Sequence, residues 1–459
     1  MTTTLAAAVL VSVATGFTLV APPIARTAGR NAPSVLLALS LAVGVGLGIS
    51  ACALFAWLVL VGSVGSGFAA LDGALLLAGF LVAIRWWPRA WPSTSMQPLG
   101  WPWRTAVAAS MAISVTVFVV RSATLPHGDW DAWMTWNRTA RFLFRGASEW
   151  RDAFASSFRH PDYPLLVPGA VARLWSYIGT DSMVAPAAVA MLFTFATVGL
   201  IGAALAVLRS RRQGVLAMVI LLGTSSFVAF GTSQYADVPL SFFVLATVVL
   251  LCLHDRGPDA RLMALAGTCA GFAAWTKNEG ALFLAAVATT RWAAIGWRHG
   301  WRALLREARW FAAGAAPVLT IVAYFKVCLA PVNDLVAGQG LAETLPRLLE
   351  GGRYAEVGRV FATEAWRLGH NGIVGAIPVL VVYLLYMGRT LRSTDRTAVA
   401  TSLAACALVL TGYVVVLIMA PGDFLRLLNR SVDRLLLHLW PAVVFTFFMV
   451  ARPPEDAAP

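Results

Sequence analysis

Residues 34–62 read SVLLALSLAVGVGLGISACALFAWLVLVG, without one charged side chain. As a helix, a stretch of that length covers a hydrocarbon core of about 30 Å. Lipid offers the backbone no water, so every amide must be satisfied within its own segment, as in a helix. The alternation that marks outer-membrane strands is absent. Comparable apolar runs recur near 5–25, 67–84, 104–121, 183–208, 214–232, 237–253, 262–276, 280–297, 310–328, 372–388, 398–420 and 434–450. Only 12% of the 459 residues are charged and 59% are hydrophobic. An ordinary soluble domain carries about twice that charged fraction. The pattern predicts an all-α polytopic membrane protein with about 13 transmembrane helices (roughly 11–14).

The formal charge of +13 does not point to nucleic acid. Lys277 and Lys326 are the only lysines; arginines make up the rest, mostly in short links between runs. The links 26–30, 85–104, 209–212, 254–261, 298–309 and 389–396 are all basic, and simple alternation puts them on one side. That side is expected to be cytoplasmic, which makes the chain a multi-pass plasma (inner) membrane protein. The first run has arginine after it rather than before it, which suits a first span with an outside N-terminus better than a cleaved leader. The tail after Arg452 is expected to be a disordered cytoplasmic end. The five cysteines lie in or beside apolar runs without a CxxC pair, and are expected to be small core residues.

On the opposite, outer side lie two long loops, 122–182 and 329–371. The first reads HGDWDAWMTWNRTARFLFRGASEWRDAFASSFRHPDYPLLVPG over 127–169. Asp129 and Asp131 open it, directly after a run. Trp133, Trp136, Ala140 and Phe144 then recur at helical spacing, opposite Arg138, Arg141 and Arg145. That pattern predicts a helix lying flat in the interface. A second cluster, His160-Pro161-Asp162-Tyr163-Pro164, precedes the return to the membrane, its prolines restricting the backbone around Asp162. Such carboxylates take a proton from an acceptor hydroxyl or amine, or cap a helix start, or as a pair hold a divalent cation.

These residues resemble the first periplasmic loop of GT-C superfamily glycosyltransferases, which use polyprenyl-phosphate-linked sugars. The nearest named groups are the protein O-mannosyltransferases and the lipid A aminoarabinose transferases. The resemblance rests on Asp129-Trp130-Asp131, on Ala140-Arg141 through Gly146, and on Asp162-Tyr163-Pro164-Leu165, and extends more weakly over 104–330. Where those groups often carry an adjacent acidic pair and Pro-Pro-Leu, this chain has Asp-Trp-Asp and Tyr-Pro-Leu. Two further segments are similar to ones beside GT-C active sites: Gln234-Tyr235-Ala236-Asp237-Val238-Pro239 and Trp275-Thr276-Lys277-Asn278-Glu279-Gly280. Without the resemblance, Asp237 serves equally as a helix N-terminal charge, and Lys277 with Glu279 as an ion pair at a tight turn. Ionisable groups at the membrane boundary are nonetheless functional candidates. The resemblance implies a catalytic module over 104–330, preceded by helices in 1–103 without an assigned role and followed by the second loop and last helices in 331–459.

One short outer link breaks the charge rule. Arg426, Arg430 and Arg434 recur every fourth residue and share a helical face where arginine should be scarce. The guanidinium fork matches phosphate, although snorkelling toward headgroups explains the same placement. Lys326, Arg347, Arg353, Arg359 and Arg367 are weaker candidates for that role.

Together these features predict a glycosyltransferase that moves a sugar from a polyprenyl-phosphate donor to a protein, lipid or polysaccharide acceptor on the periplasmic or extracellular side. Asp129, Asp131 or Asp162 is the expected catalytic carboxylate, and His160, Tyr163, Tyr235, Asp237, Lys277, Glu279, Arg426, Arg430 and Arg434 the expected substrate contacts. No metal ligand set is read from the sequence; no cofactor is required, and a divalent cation is compatible with the carboxylates. The rival classes are a polysaccharide polymerase or ligase, which would not depend on the aspartates, and a transporter or flippase, for which repeated halves are expected and none are seen.

Overall fold

The computed structural model describes residues 2–89, 98–333, 340–368 and 375–457. Apolar composition dictates helices, and among the described residues the chain forms eighteen α-helices and no strand. They are α1 (Thr2–Ala28), α2 (Ala32–Val61), α3 (Ser66–Trp86), α4 (Trp101–Thr124), α5 (Asn137–Arg145), α6 (Leu166–Ile178), α7 (Val184–Leu208), α8 (Arg211–Gly223) and α9 (Ser225–Thr232). The second half holds α10 (Asp237–Arg256), α11 (Ala260–Thr276), α12 (Asn278–His299), α13 (Trp301–Cys328), α14 (Leu341–Leu349), α15 (Gly351–Arg367), α16 (Ala376–Met387), α17 (Arg396–Met419) and α18 (Phe424–Val450).

Each expected span coincides with a helix or, over 214–232, with the pair α8–α9. Nine described helices are long and apolar enough to cross a membrane, or up to ten if that pair, bent by 64°, counts as one span. The remaining three, α11, α12 and α16, fall short in length, hydropathy or charge. The bend sits at Thr224, whose backbone is extended and whose Oγ1 accepts the Trp440 indole N–H at 3.0 Å.

Helix α10 is the axis of the bundle: every residue from Asp237 to Leu253 is buried, against α7, α11, α17 and α18. The first helices are integral to this packing. Gly16 and Gly46 let α1 and α2 cross backbone to backbone, since a Cβ at either would meet a carbonyl of the other helix. Phe55 of α2 then meets Trp150, Trp275 and Phe325 at ring-centroid distances of 6.1, 5.1 and 6.3 Å, joining the first long loop to α11 and α13.

The arginine-rich links gather at one end. Arg209 donates to the Thr390 and Ala451 carbonyls, Arg256 pairs with Asp395, Arg261 reaches the Trp86 carbonyl, and Arg298 reaches Thr397. At the other end, which we call the loop end, the structure adds elements absent from the sequence reading. The stretch before α7 contains α6, a nearly fully buried helix whose single mid-run charge, Arg173, hides its apolar character. The second long loop carries α14 and α15; residues 334–339 and 369–371 of it, and 372–374 of the span expected over 372–388, lie outside the described residues. The tail expected to be disordered makes a 3-10 turn over Pro454–Ala457. All five cysteines are free; four are buried as expected, whereas Cys328 is exposed at the end of α13.

Arg173 is fully buried and pairs with Asp72 of α3 at 2.6 Å, while it also donates to the Ala8 carbonyl at 2.9 Å. Breaking one side of a buried pair costs about 3–5 kcal/mol, because it strands the other charge. We therefore expect Asp72→Asn to lower the thermal unfolding midpoint of the detergent-solubilised protein markedly. The double variant Asp72→Leu/Arg173→Met should recover most of the loss, since an apolar pair of similar volume is often neutral. An unchanged midpoint in Asp72→Asn would contradict the pairing.

Candidate active site

Asp237 is the first residue of α10, where the helix dipole favours an anion, and it is wholly buried. A carboxylate taken out of water needs dense compensation. Arg434 supplies it as a fork, with Nη2 to Oδ2 at 2.9 Å and Nε to Oδ1 at 3.3 Å. Lys277 Nζ donates to Oδ1 at 3.0 Å, and His438 Nε2 lies 2.7 Å from the same oxygen. Carboxylate oxygens accept only, so His438 presents its Nε2–H to Asp237 and its Nδ1 to the Tyr413 hydroxyl at 3.2 Å. Lys277 is held by local geometry: it caps both the end of α11 and the start of α12 with an extended backbone. It also pairs with Glu279 at 3.2 Å.

Arg434 carries the network to the first long loop. Its Nη1 lies 2.5 Å from Asp131 Oδ2, and its guanidinium stacks 4.7 Å above the Tyr235 ring. Tyr235 accepts the Asp131 backbone N–H at 3.3 Å, and burial pushes its hydroxyl pKa up to about 12, so it stays protonated at neutral pH. The loop is brought there by Gly128, at φ +71, where a Cβ would lie 2.6 Å from the Ser233 carbonyl. Gln234 also adopts a left-handed backbone, φ 60, and bridges the two segments: it accepts from Asn137 at 2.9 Å and donates to the Pro126 carbonyl at 3.2 Å.

A second polar cluster shares the α11–α12 corner. Asp162, 2% exposed, accepts from Asn278 at 2.8 Å and Asn333 at 2.7 Å through Oδ2. Lys326 binds its carbonyl at 2.6 Å and the Asn278 side chain at 2.7 Å. Asp162 Oδ1 is buried and has no partner among the described residues. Tyr163 stacks between Trp136, at 5.4 Å, and His160, at 4.7 Å; burial, with Glu279 nearby, drives its pKa well up.

Of the residues singled out from sequence, Asp131, Tyr235, Asp237, Lys277, Glu279 and Arg434 meet in one cluster, with Asp162, Tyr163 and His160 beside it. Three stand apart. Asp129 is exposed, and among the described residues its carboxylate accepts only its neighbour's N–H, from Trp130 at 3.0 Å. Arg426 pairs with Asp423 at 3.2 Å and is exposed, as is Arg430. The expected apolar stripe is also corrected. Residues 132–136 form a π turn, which widens the helix by a residue and rotates Trp133 out beside Trp130, leaving Trp136, Ala140 and Leu143 as the buried face. Sequence reading missed Asn333, Tyr413 and His438, and included Asn278 only as part of its segment. His438 had a signal, since it continues the four-residue spacing of Arg426, Arg430 and Arg434. Among the described residues no group of three or more His, Cys, Asp or Glu is placed to hold a metal ion.

A family model described as dolichyl-phosphate-mannose-protein mannosyltransferase matches residues 159–325, a little over a third of the chain. The match supports membership of the GT-C superfamily. It takes in Asp162, Asp237, Lys277 and Glu279, and stops short of Asp131, Lys326 and Arg434, which the tertiary structure adds to them. No curated protein and no solved structure matches significantly. The chain is thus supported as a membrane glycosyltransferase of GT-C type.

The geometry separates the three arginines energetically. Arg434→Ala takes from Asp131 its ion-pair partner and from Asp237 its fork, leaving Asp237 to Lys277 and His438, and a broken buried pair costs about 3–5 kcal/mol. Arg426→Ala and Arg430→Ala, at exposed positions, should stay within about 0.5 kcal/mol. Thermal unfolding of the three variants in one detergent checks this order; equal midpoints would show that Arg434 does not hold the cluster.

Proposed function

We propose that the chain transfers a sugar from a polyprenyl-phosphate donor to an acceptor hydroxyl or amine, at the loop end of the bundle. The donor class follows from the description of the matched family, which names a lipid-phosphate mannose, and from guanidinium and ammonium groups set at the membrane boundary. The observation that carries the mechanism is one guanidinium shared by two carboxylates, Asp131 and Asp237.

Their environments support different roles for the two. Asp237 is sealed in and triply held, and so fixes Arg434 and Lys277. Asp131 is partly exposed, has one oxygen on Arg434, and is the carboxylate an incoming acceptor can meet. As the acceptor oxygen or nitrogen attacks the anomeric carbon, its proton passes to Asp131. The bond from that carbon to the phosphate oxygen breaks, and its electron pair stays on the phosphate. Protonation removes the Asp131 charge and loosens its hold on Arg434, so a guanidinium N–H becomes available as negative charge develops on the leaving group. Preorganised cations at that point lower the barrier. Without substrate, Asp131, Asp237 and Glu279 outnumber Arg434 and Lys277 by one charge. Delivery of a proton to Asp131 removes that excess.

Release of polyprenyl phosphate from a panel of polyprenyl-phosphate sugars tests this. Asp131→Asn should lower the rate by about a hundredfold to ten-thousandfold, the usual contribution of a general base. Asp129→Asn should remain close to wild type. Full activity in Asp131→Asn, or a loss confined to Asp129→Asn, would remove Asp131 from the chemistry.

The loop end is opposite the arginine-rich links, and the charge rule makes it non-cytoplasmic. In a Cys328→Ser background, an impermeant maleimide should label Ser148→Cys and Gly351→Cys in intact cells and spare Ser393→Cys. The reverse pattern would place the reaction on the cytoplasmic side.

A further inference from the structure

A groove of about 770 Å³ runs between α4 and the bent pair α8–α9 and reaches Asp433 of α18. Ile113, Val117, Leu222 and Phe230 give it apolar walls, and it ends at Arg121 and Asp433. It is no core cavity. Within α4 only Ser114 and Phe118 are buried, while Ile113 is 65% and Val117 41% exposed, so this wall belongs to a helix whose apolar surface is offered to the bilayer. Its size falls in the range of about 300–1,000 Å³ that encloses a small-molecule-sized segment.

The loop end of the groove adjoins the active site through one aromatic ring. Phe230, in the groove wall, lies 6.0 Å from Tyr235, which in turn contacts the Arg434 guanidinium and the Asp131 N–H. Asp433, at the same end, immediately precedes Arg434. Arg121 is the unexplained group. It sits in the last turn of α4, and its guanidinium has no hydrogen-bond or ion-pair partner among the described residues. Asp433 Oδ1 is taken by the Arg434 N–H at 2.8 Å, and its charge disfavours an anion on its own side.

We propose that this groove receives the phosphate-proximal isoprene units of a polyprenyl phosphate, with Arg121 as a phosphate ligand at its mouth. The remaining chain lies in the bilayer. This rests on the donor class assigned above and specifies where that donor enters: along α4 and past Tyr235, so that its phosphate arrives beside Arg434. An apolar walled groove open to lipid, ending at an unpaired cation, is complementary to an apolar chain with an anionic head. A neutral lipid leaves Arg121 unanswered.

The test is equilibrium binding to the full chain in detergent, followed by native mass spectrometry. The probes are undecaprenyl monophosphate, dimethylallyl phosphate, undecaprenol and phosphatidylglycerol. Ile113 lies eight residues from Arg121, about 12 Å along the helix, beyond the reach of a single isoprene unit. Ile113→Trp fills the groove there, at a position exposed enough to take the larger ring without disturbing the core. It should weaken undecaprenyl monophosphate by about tenfold or more, equivalent to losing the burial of two methylenes, and leave dimethylallyl phosphate within about twofold. Arg121→Gln should weaken both phosphates by about tenfold or more and leave undecaprenol unchanged. Wild-type affinity for undecaprenyl monophosphate in both variants would overturn the groove and leave the donor class standing. Equal affinity of the wild type for phosphatidylglycerol would overturn it as well, making it a site for bulk lipid. Failure of the wild type to bind undecaprenyl monophosphate at all would instead remove the donor class, and the groove's ligand with it.

Discussion

The loop end of the molecule is organised by one buried charge, the Asp237 carboxylate at the start of α10. In a low-dielectric interior it persists only with dense compensation, here an arginine fork, a lysine, a histidine and the helix N-terminus together. These side chains come from two other parts of the bundle: Arg434 and His438 from α18, Lys277 from the corner between α11 and α12. Satisfying Asp237 therefore fixes where those helices end relative to α10. The same arginine extends to Asp131 and brings the first long loop into register with the bundle.

Such a cluster is costly, and apolar side chains of equal volume would hold the helices together at least as well. A stabilising role alone does not account for it. The outward gradient of exposure, from sealed Asp237 through Arg434 to partly open Asp131, is what a reaction centre needs: a rigid inner anchor and an accessible outer edge. The neighbouring cluster around Asp162 follows the same logic, tying the first loop, α12, α13 and Asn333 of the second loop to one corner. Helices α1–α3 contribute from beneath. The buried Arg173–Asp72 pair and the Phe55 aromatic contacts support the floor on which the first loop rests.

Much of this was legible in the sequence, and the reasons are specific. Uninterrupted apolar runs in lipid permit only helices, so the spans could be placed directly. Arginine distribution separated the two ends, because crossing the bilayer with charge is expensive. Asp131, Asp237, Lys277 and Arg434 stood out because ionisable groups at a membrane boundary are rare. Helix α6 and the buried face of α5 did not. A single buried arginine disguises α6 as loop, and a π turn shifts the α5 stripe by one residue that periodicity alone cannot register.

The sequence by itself determined the all-helical membrane class, the approximate spans and the set of charged residues from which a site can be built. Only the tertiary structure decided which of those charges meet. Arg426, Arg430 and Arg434 share one spacing, yet only Arg434 lies deep enough along α18 to reach Asp237, some two hundred residues earlier in the chain. Asp129 and Asp131 are equivalent as letters, and the positive φ of Gly128 together with the Tyr235 hydroxyl orients the second of them toward the arginine. Partner choice between distant charges depends on how helices end and cross, and local residue patterns carry no information about that geometry.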